Sequence, residues 1–383
     1  MSTVAPDLVN PSIEMLVLQS TPFCNLDCSY CYLPDRASTE RMSEATLEQA
    51  FAKTFASPFL SPHLTVLWHA GEPLVPGVGY YERAFAILNL LRPKSVTVSH
   101  SFQTNATLLT QTWVDFFRMH DVRVGVSVDG PRLLHDRSRK ARNGNGSFER
   151  VMRGIRVLQD NGYPFHVITV LTRESLRAPR ALYDFYVENG ITEVAFNIEE
   201  IEGDHVSSSL LDCAADAEVH AFYEAFYDLA ETGLAKLQVR EFIGAFASIA
   251  NPESEYYGNP LAEPMRTVSI GVNGEIGSFS PELLGYGSER HGTFTFGNIH
   301  QNDFADVLRD PKFVAVNAEI ARGIERCRQS CEYFGICRGG SPANKLFENG
   351  SFESTETLFC RLSKKAVIDV VLGRVERSFD LGS

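Results

Sequence analysis

The feature that most constrains the fold is a regular alternation of two kinds of segment. Apolar, β-branched runs of strand length occur at 13–19, 64–70, 95–103, 122–129, 165–172 and 192–198. Segments with helical periodicity lie between them, at 43–56, 78–91, 110–120, 147–162 and 178–190. Successive strand–helix units predict an α/β fold with a parallel sheet and helices outside it. An open sheet and a partial barrel both fit, and either places its active site at the carboxyl ends of the strands.

The pattern changes after about residue 205. Two amphipathic helices are predicted at 214–233 and 235–250, and a β-hairpin at 266–280 with Asn273-Gly274 as its turn. The stretch that follows is predicted to be loop-rich as far as Cys360, and a last helix is predicted at about 361–378. A chain of 383 residues can bury more than one core. We therefore predict two domains, residues 1–235 and 236–383.

Composition narrows the partners and the compartment. The formal net charge is −13, which disfavours a nucleic-acid partner because such proteins usually carry a basic face. No basic segment followed by an apolar core begins the chain, and no apolar run has the length of a membrane span. The sequence therefore predicts a cytoplasmic protein with no membrane partner. In that compartment, the eight cysteines favour metal or redox ligands over disulfides.

Three cysteines follow the first predicted strand directly, in the stretch "CNLDCSYCYLP". Cys24, Cys28 and Cys31 on one loop can hold three corners of an iron–sulfur cube. The remaining metal position then stays open for a substrate or cofactor, whereas a structural site is closed by four ligands. Spacing alone also allows a zinc site with a distant fourth ligand, or three free thiols.

The neighbouring motifs add a family resemblance. "CNLDCSYCY" resembles the cluster loop of radical S-adenosylmethionine (SAM) enzymes, and "HAGEP" (69–73) resembles their Gly-Gly-Glu-Pro stretch with Ala70 in place of the first glycine. "QTNATLL" (103–109), "SVDGP" (127–131) and the segment 135–151 continue the resemblance at later strand ends. It implies a partial (β/α)6 TIM-like barrel and a [4Fe–4S] cluster on the three cysteines, with SAM bound at the open iron.

The resemblance also implies which residues contact SAM. The implied SAM site consists of Tyr30, Gly71, Glu72, Asn105, Ser127 and Arg139. Tyr30 is expected against adenine, the backbone beside Glu72 at the methionine amino group, and Ser127 near the ribose or methionine carboxylate. Arg139 or Arg142 is the implied counter-charge of that carboxylate. Each has a plain structural alternative: Tyr30 as a core residue, Glu72 as a carboxylate at a helix N-terminus, and Ser127 as a turn residue.

A second group of cysteines lies near the C-terminus. Its members are Cys327, Cys331, Cys337 and Cys360. Four thiolates suit zinc or a closed iron–sulfur cluster. The region resembles the SPASM domain of peptide-modifying radical SAM enzymes, which holds two auxiliary clusters when complete. Here the hairpin has no cysteine, and Ser341 stands where the full pattern has one. The resemblance therefore implies one auxiliary [4Fe–4S] cluster, two clusters in all, with zinc as the alternative. Cys213 is predicted to be a buried or incidental thiol.

The C-terminal segments carry the expectation about the reaction. Residues 333–362 and "SFSPELLG" (278–285) resemble the cyclophane-forming (GrrM-type) maturases of ribosomally made peptides. The implied reaction joins an aromatic ring carbon of a precursor peptide to the β-carbon of a nearby residue by way of a 5′-deoxyadenosyl radical. The implied partners are the precursor peptide and an external electron donor such as flavodoxin or ferredoxin. Glu282 is the predicted catalytic base for the ring proton, with a plain surface carboxylate as the alternative.

Two other functions stay open at this point. One is the oxidation of Ser or Cys to formylglycine, as in anaerobic sulfatase maturases, which usually carry both auxiliary clusters. The other is an iron–sulfur binding or scaffold protein without turnover. The motifs "AGEP" (70–73) and "CSYCY" (28–32) favour the enzyme.

Overall fold

A computed structural model describes residues 11–233, 236–251 and 259–380. Its strands are β1 (Ile13–Leu18), β2 (Leu26–Cys28), β3 (Leu60–Trp68), β4 (Thr97–Thr104), β5 (Val122–Ser127), β6 (Arg139–Ala141), β7 (His166–Leu171), β8 (Glu193–Ile198), β9 (Gln238–Val239), β10 (Thr267–Ile270), β11 (Ile276–Ser278), β12 (Gly287–Ser288) and β13 (Gly292–Thr293). Nine of them form one sheet in the order β11-β10-β1-β3-β4-β5-β7-β8-β9. All neighbours are parallel except β10 and β11. The predicted α/β fold with a parallel sheet is confirmed.

The helices account for the other predicted segments. They are α1 (Glu44–Ala56), α2 (Val78–Leu91), α3 (Gln111–Met119), α4 (Arg132–Ser138), α5 (Phe148–Asp160), α6 (Arg173–Leu176), α7 (Pro179–Glu188), α8 (Ala215–Thr232), α9 (Arg240–Ala250), α10 (Phe304–Arg309), α11 (Pro311–Ser330), α12 (Phe334–Cys337), α13 (Pro342–Asn349) and α14 (Ala366–Asp380). A 3₁₀ turn covers Pro281–Leu283 and a π-helical segment covers Cys360–Lys365. Among the described residues, no helix has the length and apolar character that crossing a membrane requires.

An aromatic cluster fixes the sheet against its helices beside the site. Trp68 ends β3 and lies opposite Phe102 of β4 in the sheet register. Tyr81 of α2 contacts both rings edge-on, with ring centroids 5.0 Å from Trp68 and 4.8 Å from Phe102. All three side chains are fully buried. Because such aromatic pairs add directional contacts to the burial of apolar area, they hold the end of β3 in place directly before the predicted SAM-binding stretch.

A short antiparallel ribbon anchors the cysteine loop. β2 lies within that loop and pairs with β6, so that Leu26 is opposite Ala141 and Cys28 is opposite Arg139. The loop after the first strand of the sheet is thereby joined to the segment that follows α4. With three residues per strand, this ribbon leaves no periodic signal in the sequence.

The C-terminal hairpin extends the same sheet. β10 runs parallel to β1, from the pair Met15 and Thr267 to the pair Leu18 and Ile270, and β11 turns back along β10. Gly274 takes φ +88° in the turn, as the predicted Asn-Gly hairpin requires. The sheet therefore continues past the boundary predicted between 235 and 236. Residue 235 itself lies outside the described ranges, and the division into two domains stays a prediction.

The stretch before Cys360 corrects the prediction of a loop-rich segment. The 20-residue helix α11 runs through it, with Pro311 in its first turn and Asp310 as its cap. The Asp310 carboxylate accepts hydrogen bonds from the backbone N–H groups of Lys312 (2.9 Å) and Phe313 (3.1 Å). Phe313, Val316 and Ile320 give the helix its buried face. The prediction was wrong because frequent charges on the exposed face hid this spacing.

Candidate active site

One cavity of about 840 Å³ opens at the carboxyl ends of the parallel strands. The residues that line it include Cys24, Cys28 and Cys31 from the loop after β1, Cys337 of the second cysteine group, and Glu282 after the hairpin. The predicted residues Tyr30, Gly71, Glu72, Asn105, Ser127 and Arg139 line the same cavity. The fold thus brings together side chains that are more than 300 positions apart in the sequence.

The three thiols of the first group lie in a shared environment. The Cys24 backbone N–H donates to the carbonyl of Arg36 (3.2 Å), and that of Cys31 donates to the carbonyl of Cys28 (3.2 Å). Burial raises the pKa of Cys24 and of Cys28 to about 12 each, and the neighbouring thiols add to the shift at both. Thiolates crowded in such surroundings need a cationic partner, and iron in a cluster is a suitable one. The donor set therefore fits an iron–sulfur cluster.

The stretch after β3 has an unusual backbone. Ala70 takes φ +66° and Gly71 takes φ +109°. A Cβ atom at Gly71 would lie 2.2 Å from the carbonyl oxygen of Thr21, so only glycine fits here. The Glu72 N–H donates to the carbonyl of Phe23 (2.8 Å), directly before the first cysteine. The end of β3 and the cysteine loop are therefore held in contact through backbone groups.

The Glu72 carboxylate holds two strand ends together. It accepts hydrogen bonds from the Thr104 hydroxyl (2.6 Å) and from the backbone N–H groups of Asn105 (2.8 Å) and Leu74 (3.0 Å). Burial raises its pKa to about 7, against the effect of these three donors. The carboxylate is therefore engaged within the protein, and the resemblance implies that the stretch 69–73 contacts a ligand through its backbone.

Tyr30, Asp129 and Arg139 form a buried network on one wall of the cavity. The Tyr30 hydroxyl donates to the Asp129 carboxylate. Arg139 Nε lies 3.0 Å from the same carboxylate, and its guanidinium carbon lies 5.4 Å from the centre of the Tyr30 ring. Burial alone would lower the pKa of Arg139, but Asp129 and Tyr30 reverse this effect and the pKa is raised. The positive charge of Arg139 is therefore matched within the protein.

The other polar residues predicted at the SAM site do not share one network, and each has its own partner. Ser127 Oγ accepts a hydrogen bond from Gln103 Nε2 (2.9 Å) at the cavity wall. Asn105 Nδ2 lies 3.8 Å from Cys24 Sγ. Arg142 does not line the cavity; its Nε donates to the backbone carbonyl of Cys24 (2.9 Å). Of the two arginines considered as a counter-charge, the structure thus places Arg139 at the cavity and Arg142 behind the cysteine loop.

The second cysteine group also converges in space. Its four members come from the end of α11, the loop that follows it, α12 and the π-helical segment, namely Cys327, Cys331, Cys337 and Cys360. Burial raises the pKa of Cys337 and Cys360, the latter to about 11, and the neighbouring thiols of the group contribute to both shifts. The donor set fits a cluster with four thiolate ligands. In the described ranges, no three His, Cys, Asp or Glu side chains converge closely enough for a single metal ion.

Three carboxyl groups lie together on the cavity wall. They belong to Glu282 and to Glu200 and Glu202, which follow β8. Burial is the main cause that raises the pKa at all three. The charge of Glu282 adds to the shift at Glu200 and Glu202, and the charge of Glu200 adds to it at Glu202. Glu202 hydrogen-bonds to Glu200, whose pKa is raised to about 7. The cluster therefore holds protons near neutral pH and can exchange them.

Glu200 and Glu202 were missed in the sequence. Their place in the sequence could have identified them, because they follow the sixth barrel strand at the edge of the sheet where the site lies. Two further side chains of the wall, Tyr32 and His69, were also not predicted; the Tyr32 hydroxyl lies 3.2 Å from His69 Nε2. His69 Nδ1 is buried without a hydrogen-bond partner in the described part of the chain, and burial lowers the pKa of this ring to about 4. Cys213 is exposed, so it is not a buried thiol.

Comparisons with known proteins agree with this geometry. The sequence profile of the radical SAM superfamily matches residues 18–186. The uncharacterized protein sll1766 of Synechocystis sp. is 40% identical over 372 residues, which cover 96% of this chain and 93% of that protein. The serine-type anaerobic sulfatase-maturating enzyme of Klebsiella aerogenes is 34% identical over 184 residues. That match covers 48% of this chain and 45% of the enzyme, which is less than half of either.

Solved structures share the fold at low sequence identity. Native anSMEcpe with bound AdoMet superimposes with a TM-score of 0.77 at 20% identity and covers 96% of this chain and 100% of its own. Streptococcus suis SuiB bound to precursor peptide SuiA gives a TM-score of 0.67 at 18% identity, with 92% of this chain and 77% of SuiB covered. The parallel sheet and the C-terminal extension are therefore those of known radical SAM structures. Residues 18–186 belong to the radical SAM superfamily, and the protein is an enzyme with SAM and iron–sulfur clusters as its cofactors.

Proposed function

We propose that this enzyme is a peptide maturase that joins an aromatic ring carbon to a side-chain β-carbon within a ribosomally made precursor, forming a cyclophane. One observation carries the proposal: a single cavity is lined by Cys24, Cys28 and Cys31, by Cys337, and by Glu282. Such a coupling needs acceptors for a hydrogen atom, an electron and a proton. We assign the hydrogen-atom acceptor to the SAM site at the first cysteine group. We assign the electron acceptor to the second cysteine group and the proton acceptor to Glu282.

The assigned SAM site combines backbone and side-chain groups around the first cluster. When bound, SAM and this cluster supply a 5′-deoxyadenosyl radical, which removes a hydrogen atom from carbon. Tyr30 is assigned to the adenine, the backbone at 71–72 to the methionine amino group, and Asn105 and Ser127 to the polar edge of SAM. Arg139 acts here by holding the Tyr30 ring, because its charge is already matched inside the protein.

Atoms and electrons balance in this scheme. The β-carbon loses one hydrogen atom, which ends in 5′-deoxyadenosine, and the resulting carbon radical bonds to the ring. The ring then loses a proton to Glu282. Cys327, Cys331, Cys337 and Cys360 would hold the second cluster, which would supply an acceptor for the remaining electron. An external donor such as flavodoxin or ferredoxin supplies the electron that cleaves SAM. The substrate must be held in a fixed position because the abstracted hydrogen must lie close to the radical carbon. Water must be excluded so that side reactions of the radical are prevented.

A peptide as the substrate class is supported by the relatives. The neighbours of similar fold include a sulfatase-maturating enzyme with bound AdoMet and a peptide, and SuiB bound to its precursor peptide. A cavity of about 840 Å³ has room for SAM and for a short peptide segment beside it. The precursor is proposed to contact α8, α9 and the C-terminal segment. Residues of α9 and of the C-terminal segment line the cavity.

Formylglycine formation is the second candidate. The observation in its favour is the 34% identity to the serine-type sulfatase-maturating enzyme over 184 residues. The position of Ser341 counts against it. Instead of a cluster ligand, Ser341 is the cap of α13, and its hydroxyl accepts a hydrogen bond from the Asn344 N–H (3.3 Å). The hairpin 266–280 likewise offers no thiol, which leaves one auxiliary site.

Anaerobic turnover with the peptide encoded beside the gene tests the proposal. The reconstituted enzyme is incubated with SAM, a reductant and this precursor. We expect the peptide to lose two hydrogen atoms per crosslink, because one bond forms and nothing is added. Tandem mass spectra should show no fragmentation between the joined residues. Deuterium placed on the β-carbon of the target residue should appear in 5′-deoxyadenosine.

Mass alone does not separate the two candidates, because oxidation of serine to formylglycine removes the same two hydrogens. The product is therefore also treated with a hydrazide probe for aldehydes. A probe-reactive product that fragments normally at every bond would contradict the cyclophane and support the formylglycine reaction.

A further inference from the structure

A buried lysine lies directly against the second cysteine group. Lys345 of α13 is 3% exposed, and its Nζ lies 3.4 Å from Cys327 Sγ. Cys327 is the most buried cysteine of its group, with 7% of its surface exposed. We propose that Lys345 sets the reduction potential of the second cluster, by placing a fixed positive charge and a hydrogen-bond donor on the Cys327 sulfur.

The position of Lys345 is unusual for a lysine. Lysines are almost never fully buried unless they are paired, because removing an ammonium group from water is costly. Within the described ranges, the Lys345 ammonium forms no ion pair with a carboxylate. Its hydrogen-bond partner is instead the sulfur of a predicted cluster ligand. A cluster with four thiolate ligands is negatively charged, and it would supply the counter-charge that this ammonium needs.

The neighbouring helix leaves room for the ammonium group. Gly323 of α11 faces Lys345, and a Cβ atom at Gly323 would lie 3.2 Å from Lys345 Nζ and 2.1 Å from the carbonyl oxygen of Phe352. Gly323 is itself buried in this contact. A side chain at 323 would therefore collide with the Phe352 backbone and crowd the Lys345 ammonium group. The ammonium is held beside the sulfur by packing on several sides.

This arrangement has a defined electrostatic effect. Uptake of one electron makes the cluster more negative by one charge, and a nearby cation stabilises that state more than the oxidised state. A donor to the sulfur acts in the same direction. Lys345 therefore raises the midpoint potential. In the proposed reaction the oxidised cluster takes one electron from the coupled ring as the ring loses its proton, and a raised potential favours this transfer.

The inference rests on the proposed second cluster but not on the identity of the peptide product. It is tested in the full chain with Cys24, Cys28 and Cys31 changed to alanine, so that the second cluster alone gives a signal. In this background, Lys345→Met removes the charge, Lys345→Gln keeps a neutral donor, and Lys345→Arg keeps the charge. Arg328→Met is the matched control, because Arg328 is adjacent to Cys327 in sequence but its side chain is 61% exposed. Iron content and a redox titration followed by electron paramagnetic resonance are measured for each.

We expect Lys345→Met to lower the ratio of reduced to oxidised cluster at a fixed potential about tenfold, which corresponds to about 59 mV for one electron. Lys345→Gln should show a shift in the same direction, whereas Lys345→Arg and Arg328→Met should stay close to the parent. A full iron content with unchanged potential in the Met and Gln variants would overturn the proposal. Loss of the cluster from all three Lys345 variants would also overturn it, because Lys345 would then serve assembly. Zinc at this site in the parent would refute the second cluster itself.

Discussion

Burial determines the chemistry of the individual carboxyl groups in the cavity. Glu72 and Glu282 both have a raised pKa, but their surroundings differ. Glu72 accepts three hydrogen bonds from the ends of neighbouring strands, so it is a structural group. Glu282 lies beside Glu200 and Glu202 with their shared proton. A proton that arrives at Glu282 therefore has two neighbouring carboxyl groups whose pKa values are also raised.

Replacing Glu282 tests its assignment as the proton acceptor. Glu282→Gln should lower crosslinked product at least tenfold while 5′-deoxyadenosine still forms, because hydrogen abstraction precedes the loss of the ring proton. A base must be ionised to act, and a raised pKa keeps Glu282 protonated at acidic pH. The ratio of product to 5′-deoxyadenosine in the parent should therefore rise with increasing pH, through a range above that of an ordinary carboxyl group, because burial raises the pKa of Glu282.

The matched control is Glu289→Gln, an exposed carboxylate a few positions further along the same segment. This variant should keep both the product yield and the pH dependence of the parent. Full crosslinking by Glu282→Gln, with the same rise in the ratio as pH increases, would remove Glu282 from the role of proton acceptor.

For individual residues, the sequence predicted which side chains belong to the site better than it predicted their hydrogen-bond partners. The spacing of Cys24, Cys28 and Cys31 carried its own chemical meaning, because three thiols on one loop leave one metal position open. Arg142 could not be placed in the same way. Its guanidinium holds the Cys24 carbonyl, a contact that depends on how the β2–β6 ribbon folds back over the loop. Such contacts between distant segments leave no local pattern.

Among the secondary-structure elements, the end of β3 places the strictest limit on which residue can follow it. It meets the cysteine loop through Gly71, where a side chain would collide with the Thr21 carbonyl. Nearby Gly77, before α2, also has a positive φ of +85°, but no atom lies within 4 Å of where its Cβ would be. A substitution at Gly77 therefore causes backbone strain alone, whereas a substitution at Gly71 causes backbone strain and a collision.

We predict that Gly71→Ala lowers the free energy of unfolding by more than Gly77→Ala. A strained backbone conformation costs about 1–3 kcal/mol at either position, and the collision at Gly71 adds to it. Gly71→Ala should also weaken SAM binding, because the displaced backbone is the assigned contact of the methionine amino group. Denaturant titration of the apoprotein and equilibrium dialysis with SAM measure the two effects. Equal destabilisation by both substitutions would show that the loop shifts without cost.

The elements that could be predicted are those in which apolar residues recur at a regular spacing over the whole segment. Strands β1, β3, β4, β5, β7 and β8 and helices α1, α2, α3, α5 and α7 match the predicted segments closely, because each has an apolar face of regular spacing. Ser43, the first residue of the predicted segment 43–56, caps α1, and its side chain accepts a hydrogen bond from the Thr46 N–H (3.0 Å). β9 was missed because its two residues precede α9 inside a segment with helical periodicity. α11 was missed because its charged face is long.

Over the whole molecule, the two cysteine groups lie in different parts of the chain but serve one cavity. The first group follows the first strand of the sheet, whereas Cys327 ends the 20-residue helix α11 far along the sequence. Neither group supplies a ligand to the other in the proposed scheme. The two clusters should therefore assemble independently, even though their functions are coupled through the peptide.

Iron analysis tests this independence. Anaerobic reconstitution should load about eight irons per chain, as two four-iron clusters require. Changing Cys24, Cys28 and Cys31 together to alanine should leave about half of the iron and abolish SAM cleavage. Cys327→Ala should also leave about half, with SAM cleavage retained and product absent. The control Cys213→Ala changes an exposed thiol and should keep all of the iron. Loss of both clusters from either ligand variant would contradict independent assembly.

The position of β1 has a consequence for how the protein is made. β1 pairs with β3 on one side and with β10 on the other. During synthesis its second edge has no partner until residues 267–270 have left the ribosome. An open edge invites pairing with other chains, and the late, long-range closure of this ladder is slow. Completion of the C-terminal hairpin then ends this exposure, because β10 covers the second edge of β1.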